Sequence, residues 1–400
     1  MLTTEQQIFK QIDKSENILI VFNADWNGDA IASALALFLF LKKIGKKVEI
    51  AASLADNDAV ALKSASAWSF LPAYENIQKS LKNLRKFIVS LDISQATINQ
   101  IKYTVDGQKL NFIISPEKGW FNPEDISSYS GGFKHDLIFA LNSPDFESLG
   151  AIYDNNVEFF YKTTVINIDH QAGNEEYGQI NCIDLNVVSA AEIIYSLIKQ
   201  QPQNQIDEDI ATCLLAGIIS KTKNYKSANL TPRTLLSSSK LIGLGARREE
   251  IINQLYRSRP LSILKSWGKI LNNLQTDEKG LIIWSWLESE EDVKALKSGN
   301  LDIQEIIEEI NASVPEAKLI LIAGADSESQ GSFVFIQAAK GLSAADILKD
   351  YAPAGNARTA TATLPFSKEE WRKEFIETIG KKLNKFTYIL ESIGAQNVCK

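Results

Sequence analysis

The sequence predicts an α/β protein, in which a mostly parallel sheet of five or six strands is flanked by helices and is followed by a smaller α/β domain. Short, almost continuously apolar runs alternate with helical patterns, which is typical of buried parallel strands joined by helices. The chain has 400 residues. Because one hydrophobic core seldom organises so long a chain, two domains are expected. We place the first at 1–250, a helical connector at 251–277 and the second at 278–400.

The first domain begins with a predicted helix from about Thr4, after which strands and helices alternate. Strands are predicted at 18–22, from Lys47, near Phe87, at 136–141 and at 164–168, and helices at 29–43, 190–200, 207–219 and 231–242. The segment 101–115 predicts a hairpin around Asp106-Gly107. Residues 128–132, SYSGG, predict a loop. Polar clusters end the strands at 136–141 and 164–168, and open α/β sheets bind ligands at such strand ends.

The region 249–274 predicts an amphipathic helix interrupted at Pro260, which we interpret as the connector. A second α/β pattern follows it. Its predicted strands are LIIWSWL, KLILIAGA, SFVFIQAA and TATATL, and its predicted helices cover 290–297, 303–310, 344–349 and the chain from Lys368.

The composition excludes several classes of protein. A net charge of −7 argues against a protein that grips long nucleic acid by unspecific charge attraction. The three cysteines, Cys182, Cys213 and Cys399, have no zinc-knuckle or disulfide-framework spacing and fit a reducing cytoplasm. The longest apolar run, 31–41, is too short to span a membrane, and the N-terminus lacks a signal pattern. We therefore expect a soluble cytoplasmic protein without a membrane partner.

Histidine is scarce. Only His135 and His170 occur in the chain. A metal site built from several imidazole ligands is therefore excluded.

The loop after the first strand reads NADWNGDAIASAL at 23–35. It resembles the first motif of DHH phosphoesterases, His-x-Asn-Pro-Asp-Gly-Asp-Ala-x-Gly-Ser-Ala-Leu. Short carboxylates two residues apart on a tight turn can face separate divalent cations. In this chain Asn23 stands where the family has its His, Asn27 stands where it has its first Asp, and Asp29 is kept.

Three later segments resemble the remaining motifs of the same family. DLIFALNSPD places Asn142 where the family has a metal-bridging Asp. VINIDHQAGN keeps Asp169 and His170 of the Asp-His-His motif and has Gln171 in place of the second His. In LLAGIISKTKN, Lys221 stands where the family has an Asp before Thr. The four motifs occur in the family's order.

The resemblance extends to the second domain, which is similar to the DHHA1 domain of these phosphoesterases. That domain carries a Gly-Gly-Gly-His stretch that helps to bind substrate phosphates or bases. Here DYAPAGNARTATATLP lies near that place without a His. The resemblance implies substrate contacts at Gly355 and Arg358.

Active members of the family use two manganese ions to activate water. If the family's ligand positions are carried over residue by residue, one ion would be left with Asn23, Asn27 and Asn142. Three neutral amides cannot hold a divalent ion against water. The other ion would keep Asp29 and His170. These two are the residual metal candidates.

Lys221 would lie beside that second ion. An ammonium within ~4 Å of a dication costs several kcal/mol even at an effective dielectric near 20. No cofactor is therefore expected, although the family uses manganese. We hypothesise instead that Lys221 pairs with Asp29 and with Asp169, supplying the charge that the metals once gave.

The leading hypothesis is a pseudoenzyme that keeps a nucleotide or short single-stranded oligonucleotide cleft between its domains, with contacts from Asp169, His170, Lys221 and Arg358. A second is that one ion at Asp29, Asp169 and His170 still supports slow hydrolysis of short RNA, pAp or cyclic dinucleotides. A third is an inactive paralogue that pairs with an active DHH protein. Homodimer formation is also left open.

Purely structural roles stand beside these hypotheses. Asp29 would cap the helix that follows it. His170 would be a satisfied core histidine or one that supports metal ligands without binding the metal itself, and we favour these structural roles over metal ligation. Asp169 would accept hydrogen bonds from backbone amides at the strand end. Lys221 would be a solvated surface lysine.

Three further residues receive structural predictions. Asp92 lies at a strand end and is interpreted as structural rather than as an acid. His135 precedes a strand and is predicted to be exposed. Trp26 replaces the family's Pro, and we expect packing rather than stacking on a base.

Overall fold

The structure is a computed structural model that describes residues 2–54, 62, 65–201, 205–257, 261–297, 303–326, 329, 331–365 and 371–383. The chain divides into two compact units, Met1–Arg257 and Ser258–Lys400. No helix in the described ranges is long and apolar enough to cross a membrane.

The described residues of the first unit include the following strands and α-helices. The strands are β1 (Asn17–Phe22), β2 (Lys47–Ala51), β3 (Ile77–Gln78), β4 (Arg85–Leu91), β5 (Thr97–Asp106), β6 (Lys109–Lys118), β7 (Ile126–Phe133), β8 (Leu137–Leu141), β9 (Thr164–Asp169) and β10 (Ile180–Ile183). The helices are α1 (Thr4–Lys14), α2 (Gly28–Lys43), α3 (Ala151–Asp154), α4 (Val157–Lys162), α5 (Ala190–Lys199), α6 (Glu208–Lys221), α7 (Pro232–Gly243) and α8 (Arg248–Ile252).

Six of these strands form one sheet in the order β10-β9-β8-β1-β2-β3. Every pairing in it is parallel. β1, β8 and the inner part of β9 are buried, as expected for a parallel sheet covered on both faces. The predicted fold class, a mostly parallel sheet with flanking helices, is confirmed.

Helix α2 is buried along most of its length, from Gly28 to Leu41. Its sequence is apolar on all sides, so it is suited to a position between the sheet and other helices rather than at the surface. It packs against α5 and α6. The helix also begins at the carboxyl end of β1, which fixes the polar loop 23–27 beside the ends of the neighbouring strands.

The segment between β3 and β8 departs from the prediction. The strand near Phe87 was predicted to be buried, and this is wrong, because β4 pairs antiparallel with β7 outside the main sheet and Phe87 is 73% exposed. The loop predicted at 128–132 is also wrong, since these residues lie in β7. The predicted hairpin is confirmed as β5 and β6. An apolar run indicates a strand, but it does not show whether another layer covers that strand.

The second unit holds a mixed sheet with the order β11-β12-β13-β14-β16-β15. Its strands are β11 (Gln275–Thr276), β12 (Ile282–Leu287), β13 (Leu319–Asp326), β14 (Gly331–Ala338), β15 (Ala354–Gly355) and β16 (Thr359–Leu364). Its helices are α9 (Leu261–Asn272), α10 (Glu290–Lys297), α11 (Ile303–Ser313), α12 (Ala344–Ile347) and α13, described over 371–383. The α/β pattern predicted here is confirmed. The predicted interruption at Pro260 and the predicted helix start at Lys368 lie outside the described residues.

Candidate functional site

The candidate site lies at the carboxyl ends of three adjacent parallel strands. Asn23 follows β1, Asn142 follows β8, Asp169 ends β9, and His170 comes directly after it. From β1 the sheet extends to β2 and β3 on one side. The later strands β8, β9 and β10 extend it on the other side, so the order of the strands reverses at β1. Crevices at such a switch point are where open α/β folds bind ligands.

Asp29 is the centre of the site, and its side chain is 1% exposed. Its Oδ1 accepts hydrogen bonds from Ser33 Oγ at 3.1 Å and from Ala191 N at 3.2 Å. Its Oδ2 accepts from Asn142 Nδ2 at 3.0 Å and from Ala190 N at 2.9 Å. Each carboxylate oxygen therefore holds two donors, and the buried charge is satisfied by the protein itself.

The prediction that Asp29 caps its own helix is wrong. Asn27 is the N-cap of α2, and its Oδ1 accepts from Ala30 N at 2.9 Å. Asp29 instead accepts from the first two N–H groups of α5, where the helix dipole favours an anion. Asp29, in the first turn of α2, therefore caps α5, whose first residue lies 161 residues further along the chain.

Gly217 allows α6 to approach this carboxylate. A Cβ at this position would lie 2.8 Å from Ala191 Cβ and 3.1 Å from Asp29 Oδ1. Such contacts are closer than carbon atoms tolerate, so any larger residue would push α6 away from α5 and α2.

Asp169 is fully buried and accepts three hydrogen bonds. Its Oδ1 accepts from His170 N at 2.7 Å and from Gln171 Nε2 at 3.4 Å. Its Oδ2 accepts from Asn174 Nδ2 at 2.8 Å. The prediction that Asp169 accepts a hydrogen bond from a backbone amide is confirmed.

The side chain of His170 is only 7% exposed, and neither ring nitrogen has a hydrogen-bond partner in the described part of the chain. Its Nδ1 lies 3.8 Å from Asp29 Oδ2 and 3.6 Å from Asp169 Oδ1, both beyond hydrogen-bond distance. Burial lowers the pKa of His170, and the charge of Lys221 lowers it further, while the two carboxylates oppose the shift. The structural prediction of a satisfied core histidine is wrong. A neutral imidazole here has one donor and one acceptor to offer.

Asn142 holds the left-handed backbone conformation, with φ 51°, that Asn tolerates better than most residues. Its backbone N–H donates to Ile168 O at 3.0 Å, and its amide nitrogen donates to Asp29. Its buried Oδ1 has no partner among the described residues. The described residues thus leave two polar groups of this site, the ring nitrogens of His170 and this carbonyl, without hydrogen bonds.

The amide side chains of Asn23 and Asn27 accept hydrogen bonds from nearby backbone N–H groups. Asn23 Oδ1 accepts from Asp25 N at 2.8 Å, and Asn27 Oδ1 is used by the helix cap. These oxygens hold the turn between β1 and α2 in shape. Their hydrogen bonds are the short-range kind that Asn forms at turns and helix starts.

Lys221 is the last residue of α6 and is exposed. The predicted ion pairs with Asp29 and Asp169 are wrong, because among the described residues Lys221 has no carboxylate within ion-pair distance. The ammonium remains in water. The negative charge of Asp29 is met by N–H and O–H donors instead.

Sequence reasoning missed Asn174 and Glu192. Asn174 bridges Asp169, Asn167 and Ser143 O, and no local pattern signals it. Glu192 is buried; its Oε1 accepts from Val188 N and Thr234 Oγ1, and burial raises its pKa. The sequence SAAE before an apolar run has the spacing of a capping box, a signal that could have found Glu192.

Three other predictions have clear outcomes. Trp26 packs as predicted, with its Nε1 donating to Ser53 O at 2.6 Å. Asp92 is exposed and accepts from Ser94 N at 2.8 Å, a structural role as predicted. The prediction that His135 is exposed is wrong, because it is buried with Nε2 3.1 Å from an oxygen of Glu49.

Gly355 and Arg358 lie together in the second unit, at the turn between β15 and β16. Gly355 has φ 135°, and a Cβ there would lie 2.4 Å from Thr359 O, so the turn needs glycine. Asn356 Oδ1 accepts from Arg358 N at 2.8 Å, and the Arg358 side chain is exposed.

The side chains of the site do not match the donor set of two manganese ions. In the described ranges, no three His, Cys, Asp or Glu side chains are grouped so that they could hold a metal ion. Asp29 and Asp169 already direct their oxygens to protein donors, and Asn23, Asn27 and Asn142 offer weak neutral ligands.

Comparisons with known proteins agree on the family. The model of the N-terminal domain of the DHH family matches residues 17–218. The bifunctional oligoribonuclease and PAP phosphatase NrnA of Thermus thermophilus is 27% identical over 226 residues, which are 56% of this chain and 66% of that protein. The cyclic-di-AMP phosphodiesterase PdeA of Listeria monocytogenes is 28% identical over 155 residues, covering 38% of this chain and 23% of PdeA. The chain therefore spans less than two thirds of these relatives.

A solved structure supports the fold over nearly the whole chain. An exopolyphosphatase-related protein from Bacteroides fragilis superimposes with a TM-score of 0.61 at 16% identity, covering 96% of this chain and 97% of that one. The likeness concerns architecture alone.

Proposed function

The chain belongs to the DHH family, and we propose that it binds a nucleotide or a short single-stranded oligonucleotide at the site around Asp29 without metal-dependent hydrolysis. The activities of its phosphoesterase relatives concern nucleotides and oligonucleotides, as the names of NrnA and PdeA state. In this proposal the chain binds the same class of ligand as these relatives, nucleotides and oligonucleotides, but no longer binds metal ions.

The observation that carries the proposal is the hydrogen bonding of Asp29. A carboxylate that binds a cation needs free lone pairs directed at it. Here all four donors come from the protein, and two of them are backbone N–H groups at the start of α5 that cannot leave without disturbing that helix. Metal binding would therefore compete with folding contacts.

Three groups support a ligand in place of the metals. The ring nitrogens of His170 and the carbonyl of Asn142 are buried without partners in the described chain, and such groups cost free energy until something hydrogen-bonds to them. Lys221 is exposed and close enough for its charge to lower the pKa of His170. Together they offer hydrogen bonds to a neutral part of a ligand and one positive charge to a phosphate.

For the second unit taken by itself, we propose that Arg358 binds a phosphate and that Gly355 shapes the turn that carries Arg358. An exposed guanidinium suits bidentate recognition of a phosphate. The DHHA1-like character of residues 278–400 belongs to this proposal.

The binding test uses calorimetry with pAp, a short RNA and cyclic di-AMP, each in EDTA. At least one of these is expected to bind. Lys221→Ala should weaken binding about tenfold, equivalent to roughly 1.4 kcal/mol. Lys199→Ala is the matched control, because Lys199 is also an exposed lysine in the last turn of a helix but lies at the far end of α5.

The hydrolysis test adds manganese to the same mixtures and follows the products by chromatography. We expect no turnover above the buffer rate. Manganese-dependent cleavage that disappears in Asp29→Ala would overturn the proposal in favour of a residually active phosphodiesterase. Failure of all three ligands to bind the full chain would overturn it as well.

A further inference from the structure

The hairpin β5–β6 has one apolar face that faces solvent. From Ile101 onward the register pairs Ile101 with Ile114, Tyr103 with Phe112 and Val105 with Leu110. Because side chains alternate between the two faces of a strand, these six residues share one face. We call it the apolar hairpin face.

The opposite face of the same hairpin is polar. It carries the pairs Gln100 with Ser115, Lys102 with Ile113, Thr104 with Asn111 and Asp106 with Lys109. A sequence that alternates in this way is patterned for a sheet with one covered and one solvated face.

The described part of the chain leaves the apolar hairpin face uncovered. Five of its side chains are 54–71% exposed: Ile101, Tyr103, Val105, Leu110 and Phe112. Within the described residues, β5 and β6 pair only with each other. An isolated two-stranded hairpin is marginal in water, so an exposed apolar face on it is expected to have a partner.

We infer that the apolar hairpin face is the dimer interface of this protein, and that its partner is the same face of a second copy. The six side chains carry no charge, so they cannot attract nucleic acid phosphates and offer no charge pattern to a dissimilar protein. A face made of two antiparallel strands with matched apolar pairs is complementary to its own copy under a twofold rotation.

The exposed area reaches the lower limit for a specific interface, which is about 1,000 Å² in total. The five exposed side chains present on the order of 500 Å² per copy, and two copies about 1,000 Å². Stable interfaces bury about 1,200–2,000 Å² in total.

The test is the mass of the full chain by light scattering and sedimentation, from low micromolar to near-millimolar protein. We expect a dimer for the natural chain. The double variant Tyr103→Ser/Phe112→Ser should weaken dimerisation at least tenfold, as should the single variant Val105→Lys, which places like charges in a twofold interface. The control Thr104→Ser/Asn111→Ser changes the polar face of the same strands and should leave the dimer intact.

Because the substituted side chains are exposed, all variants should keep the far-ultraviolet circular dichroism of the natural chain. A natural chain that stays monomeric over the whole range, or a dimer that both Tyr103→Ser/Phe112→Ser and Val105→Lys leave as tight as before, would overturn the inference. Capture of a short RNA or of an active DHH paralogue by a monomer through Tyr103 and Phe112 would overturn it too. Nucleotide binding at the site around Asp29 should not change in these variants, so the two proposals fail separately.

Discussion

At the scale of single residues, the site differs from a metal centre in how one carboxylate is used. Asp29 receives four hydrogen bonds, one of them from the amide nitrogen of Asn142 at 3.0 Å. An Asp at position 142 would put two carboxylates in contact. The identity of residue 142 therefore decides whether this pocket is stable without a cation.

Asn142→Asp is expected to destabilise the first unit by about 2–3 kcal/mol at neutral pH in EDTA, because it removes a hydrogen bond and adds a like charge in a buried place. Urea unfolding measures this free energy. Manganese should restore part of the loss in this variant and should not stabilise the natural chain. Asn142→Ala separates the two effects, since it removes the hydrogen bond without adding charge and should not respond to manganese.

His135 gives a prediction on pH dependence. Burial lowers its pKa, with Lys134 adding to the shift and Glu49 and Asp136 opposing it. The unfolded chain therefore binds a proton at higher pH than the folded chain does. The stability that neutral His135 contributes is fully present above the pKa of about 6.5 that it has in the unfolded chain. This stability is lost as the pH falls through its pKa in the folded chain.

Urea unfolding of the natural chain from pH 7.5 to 5.5 should therefore show decreasing stability, and His135→Gln should show a smaller decrease. His170 titrates in the same direction, so the difference between the two proteins, not the slope of either, reports on His135. Equal slopes would contradict the prediction.

At the scale of elements, the close approach of α6 to α5 and α2 is what brings donors to Asp29. Gly217→Ala improves helix propensity by up to ~1 kcal/mol but forces a methyl group against Ala191, and overpacking costs about 1–3 kcal/mol. A net loss of about 1–2 kcal/mol is expected in urea unfolding.

The matched control for this prediction is Gly243→Ala. Gly243 also lies in a helix, at the end of α7, but a Cβ there meets no atom within 4 Å. This variant should be as stable as the natural chain or slightly more so. If Gly217→Ala behaved in the same way, the close packing would not be essential.

At the scale of the whole molecule, the two units have separate cores. The hydrophobic clusters around β1 and α2 draw their described residues from the first unit, and those around β13 and β14 draw theirs from the second. A unit with its own core can fold alone.

The fragment Met1–Arg257 is expected to fold without the rest of the chain. Thermal unfolding followed by circular dichroism should show one cooperative transition for it. A fragment without a cooperative transition would show that the first unit depends on residues 258–400.

The sequence alone determined the α/β architecture, the order of the motifs and the family. Strand and helix periodicities are local properties, so β1, α2, β8 and β9 could be predicted within a few residues of their bounds. The substitution of metal ligands by amides was likewise visible at Asn27 and Asn142, because identity at a motif position needs no coordinates.

Only the tertiary structure decided what those side chains touch. Two of the partners of Asp29, Asn142 and Ala190, lie 113 and 161 residues further along the chain, and no local pattern reports such contacts. Two predictions, the buried strand near Phe87 and the ion pairs of Lys221, were wrong for the same reason. Each depends on contacts between segments that are far apart in the sequence. Periodicity tells which face of an element is apolar, whereas the packing of distant segments decides what covers that face and which charges meet.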